Sequence, residues 1–125
     1  APFEKITEAR VAETVKYFCN AFYALKVAYA NQMHDLCQAL GADYDQMRAC
    51  VETEPMVGKN HLTIFHKGYR GYGGKCLPKD VRAIIQIAAA SGVDLSLLKQ
   101  AEEYNNALAT SQGIDIQWPE GSPRA

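Results

Sequence analysis

Several things are scarce in this chain of 125 residues. No apolar run reaches the ~18 residues that a membrane-spanning helix needs, and Ala1 to Arg10 lacks the basic-then-apolar order of a secretory leader. A cytoplasmic protein is the default expectation. Neither sign of charge is in excess, since 13 Lys+Arg against 14 Asp+Glu leave a net charge of -1. Nothing global therefore points to nucleic acid or to an anionic membrane. The four cysteines, Cys19, Cys37, Cys50 and Cys76, include no C-x-x-C pair, and three of them stand in helical stretches. A disulfide or zinc framework is not expected, and Cys19, Cys37 and Cys50 read as small buried hydrophobes. The three histidines, His34, His61 and His66, have no metal-ligand spacing, so no metal is expected. There is no alternating strand pattern of any length, no internal repeat and no low-complexity tract.

What is present reads as an all-α domain with a true core, 48% hydrophobic. Bulky apolar residues recur at 11, 15, 18, 22, 25, 29, 33, 36 and 40, steps of three and four sustained over about nine turns. The spacing predicts one long helix from Thr7 to Leu40, stopped by Gly41. Asp43 predicts the cap of a second helix to about Glu52, ahead of Pro55. Six glycine and proline residues between 54 and 77 predict an ordered loop. Pro78 to Ser91 forms a third helix with Gly92 as its stop, and Asp94 caps a fourth from Leu95 to about Ser111. The domain spans residues 1–112; residues 113–125, with Trp118, are a linker, a cloning remnant or a docking arm. Phe18, Phe22, Tyr29 and Met33 lie along one line of the long helix, with Tyr23, Val27 and Ala28 elsewhere on it. That is more apolar surface than three short helices cover, so the helix predicts a homodimer.

Residues 59 to 82 hold Lys59, Lys67, Arg70, Lys75, Lys79 and Arg82 against Asp80 alone, a local balance that suits an anionic ligand. Within them lies Gly68-Tyr-Arg-Gly-Tyr-Gly-Gly-Lys-Cys-Leu-Pro-Lys-Asp80. A dinucleotide fingerprint starting at Gly71 fails because Cys76 stands where the last glycine belongs and no strand precedes it, and a P-loop fails for want of G-K-[ST]. Binding of NAD and turnover by this chain alone are not expected. What remains is a cysteine at a helix N-terminus, where backbone N–H groups, the helix dipole and Lys75 and Lys79 stabilise a thiolate. Cys76 is a candidate nucleophile, or else a buried cysteine beside a tight turn. Asp80, four residues on, shares that side of the first turn; its plain alternative is an acid compensating the dipole. On the long helix Lys16 and Asn20 are one turn apart on a face of small residues, with Asn31 about 20° round from Asn20. A cation with two amides can hold an oxyanion; a solvated polar stripe is the alternative.

These strings resemble a family. Val15-Lys-Tyr-Phe-Cys-Asn-Ala-Phe-Tyr-Ala-Leu-Lys-Val-Ala-Tyr-Ala-Asn31, Gly41-Ala-Asp43, Val57-Gly58 and Gly71-Tyr-Gly-Gly-Lys-Cys-Leu-Pro-Lys-Asp80 are similar, in order, to the central domain of the UDP-glucose/GDP-mannose dehydrogenases. The G-[YF]-G-G-x-C-[FL]-P-K-D string is highly specific. The resemblance implies oxidation of C6 of a nucleotide sugar twice with NAD, through a thioester on Cys76. It implies that Asp80 orients or activates the hydrolytic water and that Lys16 and Asn20 hold the C6 oxygen. Lys67, Gly71, Tyr72 and Gly73 fall where the family's loop wraps the nucleotide sugar. It also implies pairing through this domain, and Rossmann domains on either side that this chain does not contain. The form R-G-Y-G-G-K-C favours UDP-glucose over GDP-mannose. Two strings depart from the pattern: Met56-Val-Gly58 replaces R-I-G, with Lys59 a candidate substitute for the Arg, and Asn31-Gln32 replaces Asn-Glu. A non-catalytic helical dimerisation module is the competing class.

Overall fold

Nothing between Ala9 and Leu40 interrupts a helix, and the computed structural model, which describes residues 9–114, shows one unbroken helix of 32 residues there, α1. It ends at Gly41, whose φ of +71° lets the amides of Gly41 and Ala42 reach back to the carbonyls of Gln38 and Cys37. Helix α2, Tyr44–Val51, starts where Asp43 accepts hydrogen bonds from the amides of Asp45 and Gln46 at 2.9 and 3.4 Å. Helices α3, Cys76–Ala90, and α4, Ser96–Ser111, complete the all-α architecture.

The inward face of α1 is not the one its bulky residues mark. Ala24, Ala28, Ala30, Asn31 and Cys37 are its buried positions, and these small residues let α3 and α4 lie close against it. One core cluster gathers Ala24 with Tyr72, Val81, Ile85 and Leu98; a second, nearer Gly41, gathers Ala30 and Cys37 with Tyr44, Leu62 and Ile64. Tyr44 ties the second cluster to the loop by donating its hydroxyl to the Leu62 carbonyl at 2.6 Å. The stripe of Val11, Phe18, Phe22, Tyr29 and Leu40 faces outward instead, with Phe18 70% and Tyr29 64% exposed.

Four expectations need correction. Helix α3 begins two residues before the predicted Pro78, because Lys75 already adopts an αR backbone as its N-cap, without a side-chain cap bond. Asp94 does not cap α4: Leu95 takes the N-cap position, and the Asp94 carboxylate pairs with Lys99 at 3.2 Å. The loop between α2 and α3 contains an antiparallel ladder of two short strands, β1 (Phe65–His66) and β2 (Tyr69–Arg70). Lys67 and Gly68 turn it, both at positive φ (56° and 84°), as a two-residue type I′ hairpin requires. Cys50 is exposed rather than buried, since it falls on the outer side of α2. The expected start of the first helix at Thr7 and the tail residues 115–125, Trp118 included, lie outside the described residues.

Candidate functional site

Helices α1 and α3 cross so that Asn20 meets Asp80. The Asn20 amide donates from Nδ2 to Asp80 Oδ2 at 2.6 Å, and Lys16 Nζ, one turn earlier on α1, stands 4.0 Å from the same oxygen. Asp80 is 5% exposed, whereas the Lys16 side chain is 69% exposed. A buried carboxylate is tolerable only when hydrogen-bonded or paired, and Asn20 supplies the bond. An ion pair this open contributes little stability, so Lys16 remains available to another oxygen. Asn20 has a second N–H on the same nitrogen. Cys76, the first residue of α3, is exposed one helical turn before Asp80. The structure thus brings Lys16, Asn20 and Asp80 into direct contact and sets Cys76 on the same helix end.

Other predicted residues go elsewhere. Asn31 does not join Lys16 and Asn20: it is fully buried, donates to the Val27 carbonyl at 2.9 Å and accepts from Arg70 Nε at 3.0 Å. Arg70 also donates to the Asn31 carbonyl at 3.2 Å and to Asp35 at 2.7 Å, and Tyr104 donates to Asp35 at 2.6 Å. Burial alone would raise the Asp35 carboxyl, but hydrogen bonds from Tyr104 and Arg70 and the Arg70 charge outweigh it and leave the group below its usual range. Burial, then the bond to Asp35 and its charge, push the Tyr104 phenol well above its ordinary value. Arg82 pairs with Glu102 through two of its three guanidinium nitrogens, Nε and Nη2. Of the six cations between 59 and 82, Arg70 and Arg82 are therefore committed to carboxylates, and Lys59, Lys67, Lys75 and Lys79 are exposed without a carboxylate partner among the described residues.

The glycine-rich segment is gripped by α4. Gly71 is buried, its φ is +91°, and a Cβ there would come within 2.6 Å of Asn105 Oδ1. Only glycine fits. The Tyr72 ring lies in the first core cluster, so toward the surface this residue can offer only backbone; its hydroxyl has no partner among the described residues. Burial, then the charge of Glu102, holds that phenol well above its ordinary value. Gly73 is half-buried, and Lys67 is exposed in the hairpin turn. The residues the sequence did not single out are Asn105, Gln112, Asp35 and Tyr104. For Asn105 a signal existed: it interrupts the buried face that Leu98 and Ala109 mark on α4.

The described residues do not fit a dinucleotide. The only strand pair among them is the short antiparallel hairpin, no parallel crossover frames the glycine-rich loop, and Cys76 ends the glycine pattern. Nor do they include a group of three or more His, Cys, Asp or Glu placed to hold a metal ion, or a helix long and apolar enough to cross a membrane.

Residues 10–107 match the family model of the UDP-glucose/GDP-mannose dehydrogenase family, central domain. The chain is 37% identical over 100 residues to a UDP-glucose 6-dehydrogenase of Bacillus subtilis, covering 80% of this chain and 22% of that protein. It is 40% identical over 96 residues to a UDP-glucose 6-dehydrogenase of Pseudomonas aeruginosa, covering 77% and 20%. A solved UDP-glucose dehydrogenase from Pyrobaculum islandicum superposes with a TM-score of 0.70 at 29% identity, covering 86% of this chain and 26% of that one. The chain spans about a fifth of the length of the relatives it matches.

Proposed function

The chain belongs to the UDP-glucose/GDP-mannose dehydrogenase family as its central domain, and from that premise we propose that it carries the covalent half of a nucleotide-sugar 6-dehydrogenase, with UDP-glucose as the substrate. The observation that supports this most is the contact of Asn20 and Lys16 with Asp80 beside the exposed Cys76. In this reading the Cys76 thiolate adds to the C6 aldehyde, forming a C–S bond while the carbonyl electron pair moves to oxygen. Lys16 Nζ and the spare Asn20 N–H hold that oxyanion. After oxidation to a thioester, water held by Asp80 attacks the carbonyl carbon, one of its protons passes to Asp80 and on to solvent, the C–S bond breaks, and the thiolate and the acid product separate, the acid losing its proton to solvent. The oxidations themselves need a hydride acceptor, NAD in this family, that the residues of this chain do not fit; no step here passes through it. The free lysines Lys67 and Lys75 and the backbone of Gly71 and Gly73 lie along the segment that would meet the diphosphate.

The same domain pairs with a second copy. A groove of about 610 Å³ between α1 and α4, walled by Phe22, Tyr29, Gln32, Leu97 and Tyr104, adjoins one of about 500 Å³ lined by Phe18, Ile84 and Leu95. Leu97 is 72% exposed at their junction. An outward apolar stripe of this kind favours burial against its own image. Light scattering at high micromolar concentration should return twice the chain mass of 13.8 kDa; a monomer mass rejects the pairing.

The decisive activity test grafts residues 10–107 in place of the matching segment of the Pseudomonas aeruginosa enzyme. The graft should reduce NAD with UDP-glucose, and Cys76→Ser should lower that rate by ~10³-fold or more with the fold intact. Unchanged turnover in the Cys76→Ser graft rejects the covalent role.

A further inference from the structure

Two carboxamides, one on α4 and one at its C-cap, serve the glycine-rich segment as a neighbouring strand would. Asn105, 1% exposed, accepts from the Tyr72 amide at Oδ1 and donates from Nδ2 to the Tyr72 carbonyl, each at 2.9 Å. Two turns later Gln112 accepts from the Arg70 amide at 2.8 Å and donates to the Arg70 carbonyl at 2.9 Å. A carboxamide carries the same donor and acceptor pair as a peptide group, so each of these side chains satisfies both backbone groups of one residue. From the other side, the Arg70 guanidinium is tied to Asn31 and Asp35 of α1. Residues 70 and 72 are thus fixed to both long helices. Cys76 follows four residues later, after two glycines that have no side chain to anchor them.

This matters because the contacts that hold the first turn of α3 begin after Cys76: Pro78 and Asp80 are buried and Asp80 is bonded to Asn20, but Cys76 itself is exposed and depends on the chain leading into it. The first turn of a helix has no preceding hydrogen bonds and frays unless a cap or the incoming chain restrains it. Lys75, the N-cap, makes no side-chain cap bond. We infer that Asn105 and Gln112 are positioning residues for Cys76: by fixing the backbone at Tyr72 and Arg70 they keep the first turn of α3 wound and set where the thiol points. The inference rests on the reading of Cys76 as the nucleophile.

The test uses the 125-residue chain and measures alkylation of each thiol by iodoacetamide at pH 7 with peptide mass mapping. Cys50, exposed on α2, is the internal reference, and buried Cys37 reports global opening. Asn105→Ala and Gln112→Ala should each shift the Cys76 to Cys50 rate ratio by about three-fold or more while Cys37 stays slow. Gln112→Glu keeps the acceptor for the Arg70 amide but sets a carboxylate oxygen against the Arg70 and Leu108 carbonyls, so it should shift the ratio as the alanine variant does. A ratio unchanged in both alanine variants overturns the inference, as does a change shared equally by Cys37 and Cys50. If Asn105→Ala does not fold, Gln112→Ala, at the end of α4, decides alone. The wild-type ratio reads the other question separately: a Cys76 no faster than Cys50 counts against a preformed nucleophile, whereas the change on removing either amide still decides the positioning role.

Discussion

Asn20 and Asn31 sit on nearly the same side of α1, and their surroundings are opposite in kind. Around Asn31, which is fully enclosed, Arg70, Asp35 and Tyr104 interlock, and the amide has no face left to solvent. Around Asn20 a single bond to Asp80 is made, Lys16 extends into solvent, and Cys76 is exposed. The two amides look alike on a helical wheel, but eleven residues of rise put them about 16 Å apart along the axis. Polar groups enclosed by the fold specify structure, and those left at a surface are free to do chemistry.

The sharpest way to break this contrast is to delete each amide in turn. Asn31→Ala should cost about 3 kcal/mol in urea unfolding, because it opens a small cavity and leaves the half-buried Arg70 Nε without its acceptor. Asn20→Ala should cost about 1.5 kcal/mol, because the buried Asp80 carboxylate then has only Lys16, 4.0 Å away, as its partner. Equal losses in the two variants would dissolve the distinction.

A smaller effect comes from acid. The folded Asp35 carboxyl lies below its unfolded value, so its contribution to stability is present above pH ~4 and is lost as pH falls through the folded pKa. Tyr104→Phe removes one of the bonds that lower it. The variant's urea midpoint should therefore fall less steeply between pH 4 and pH 2 than that of wild type; parallel curves would show that Tyr104 does not hold the carboxylate.

The smallest change is spectroscopic. Burial raises the phenols of Tyr44, Tyr72 and Tyr104, three of the seven tyrosines. Their neutral forms support the fold below the ordinary phenol value of ~10, and that support is lost as pH rises through the folded values. Absorbance titration of the folded chain should show a lagging fraction, and Tyr104→Phe should shrink it by one residue. A single transition near the ordinary value would contradict the burial of all three.

Much of this was legible in residues near one another in the chain. The three-four periodicity of α1, the Asp43 cap and the glycine stops at Gly41 and Gly92 are local signals, and the structure has all of them. The Lys16, Asn20 and Asp80 set was also legible, through helical spacing and the family strings. What escaped was non-local or weakly encoded. A two-pair hairpin is too short to show alternation, and Lys67-Gly68 is a fainter turn signal than Asn-Gly. Lys75 starts α3 with no capping side chain to advertise it. Which of two similar asparagines would be enclosed depended on Arg70 arriving from 39 residues away.

The grip of α4 on the glycine-rich segment also orders events in time. Its bonds are made by side chains of α4 and its C-cap, so they can close only once α4 lies in place against the rest of the fold. The segment leading to Cys76 therefore takes its final path only after α4 is seated. On a chain shortened from its C-terminal end to before Gln112, it is the first part to lose that path, while the helices beneath it still stand.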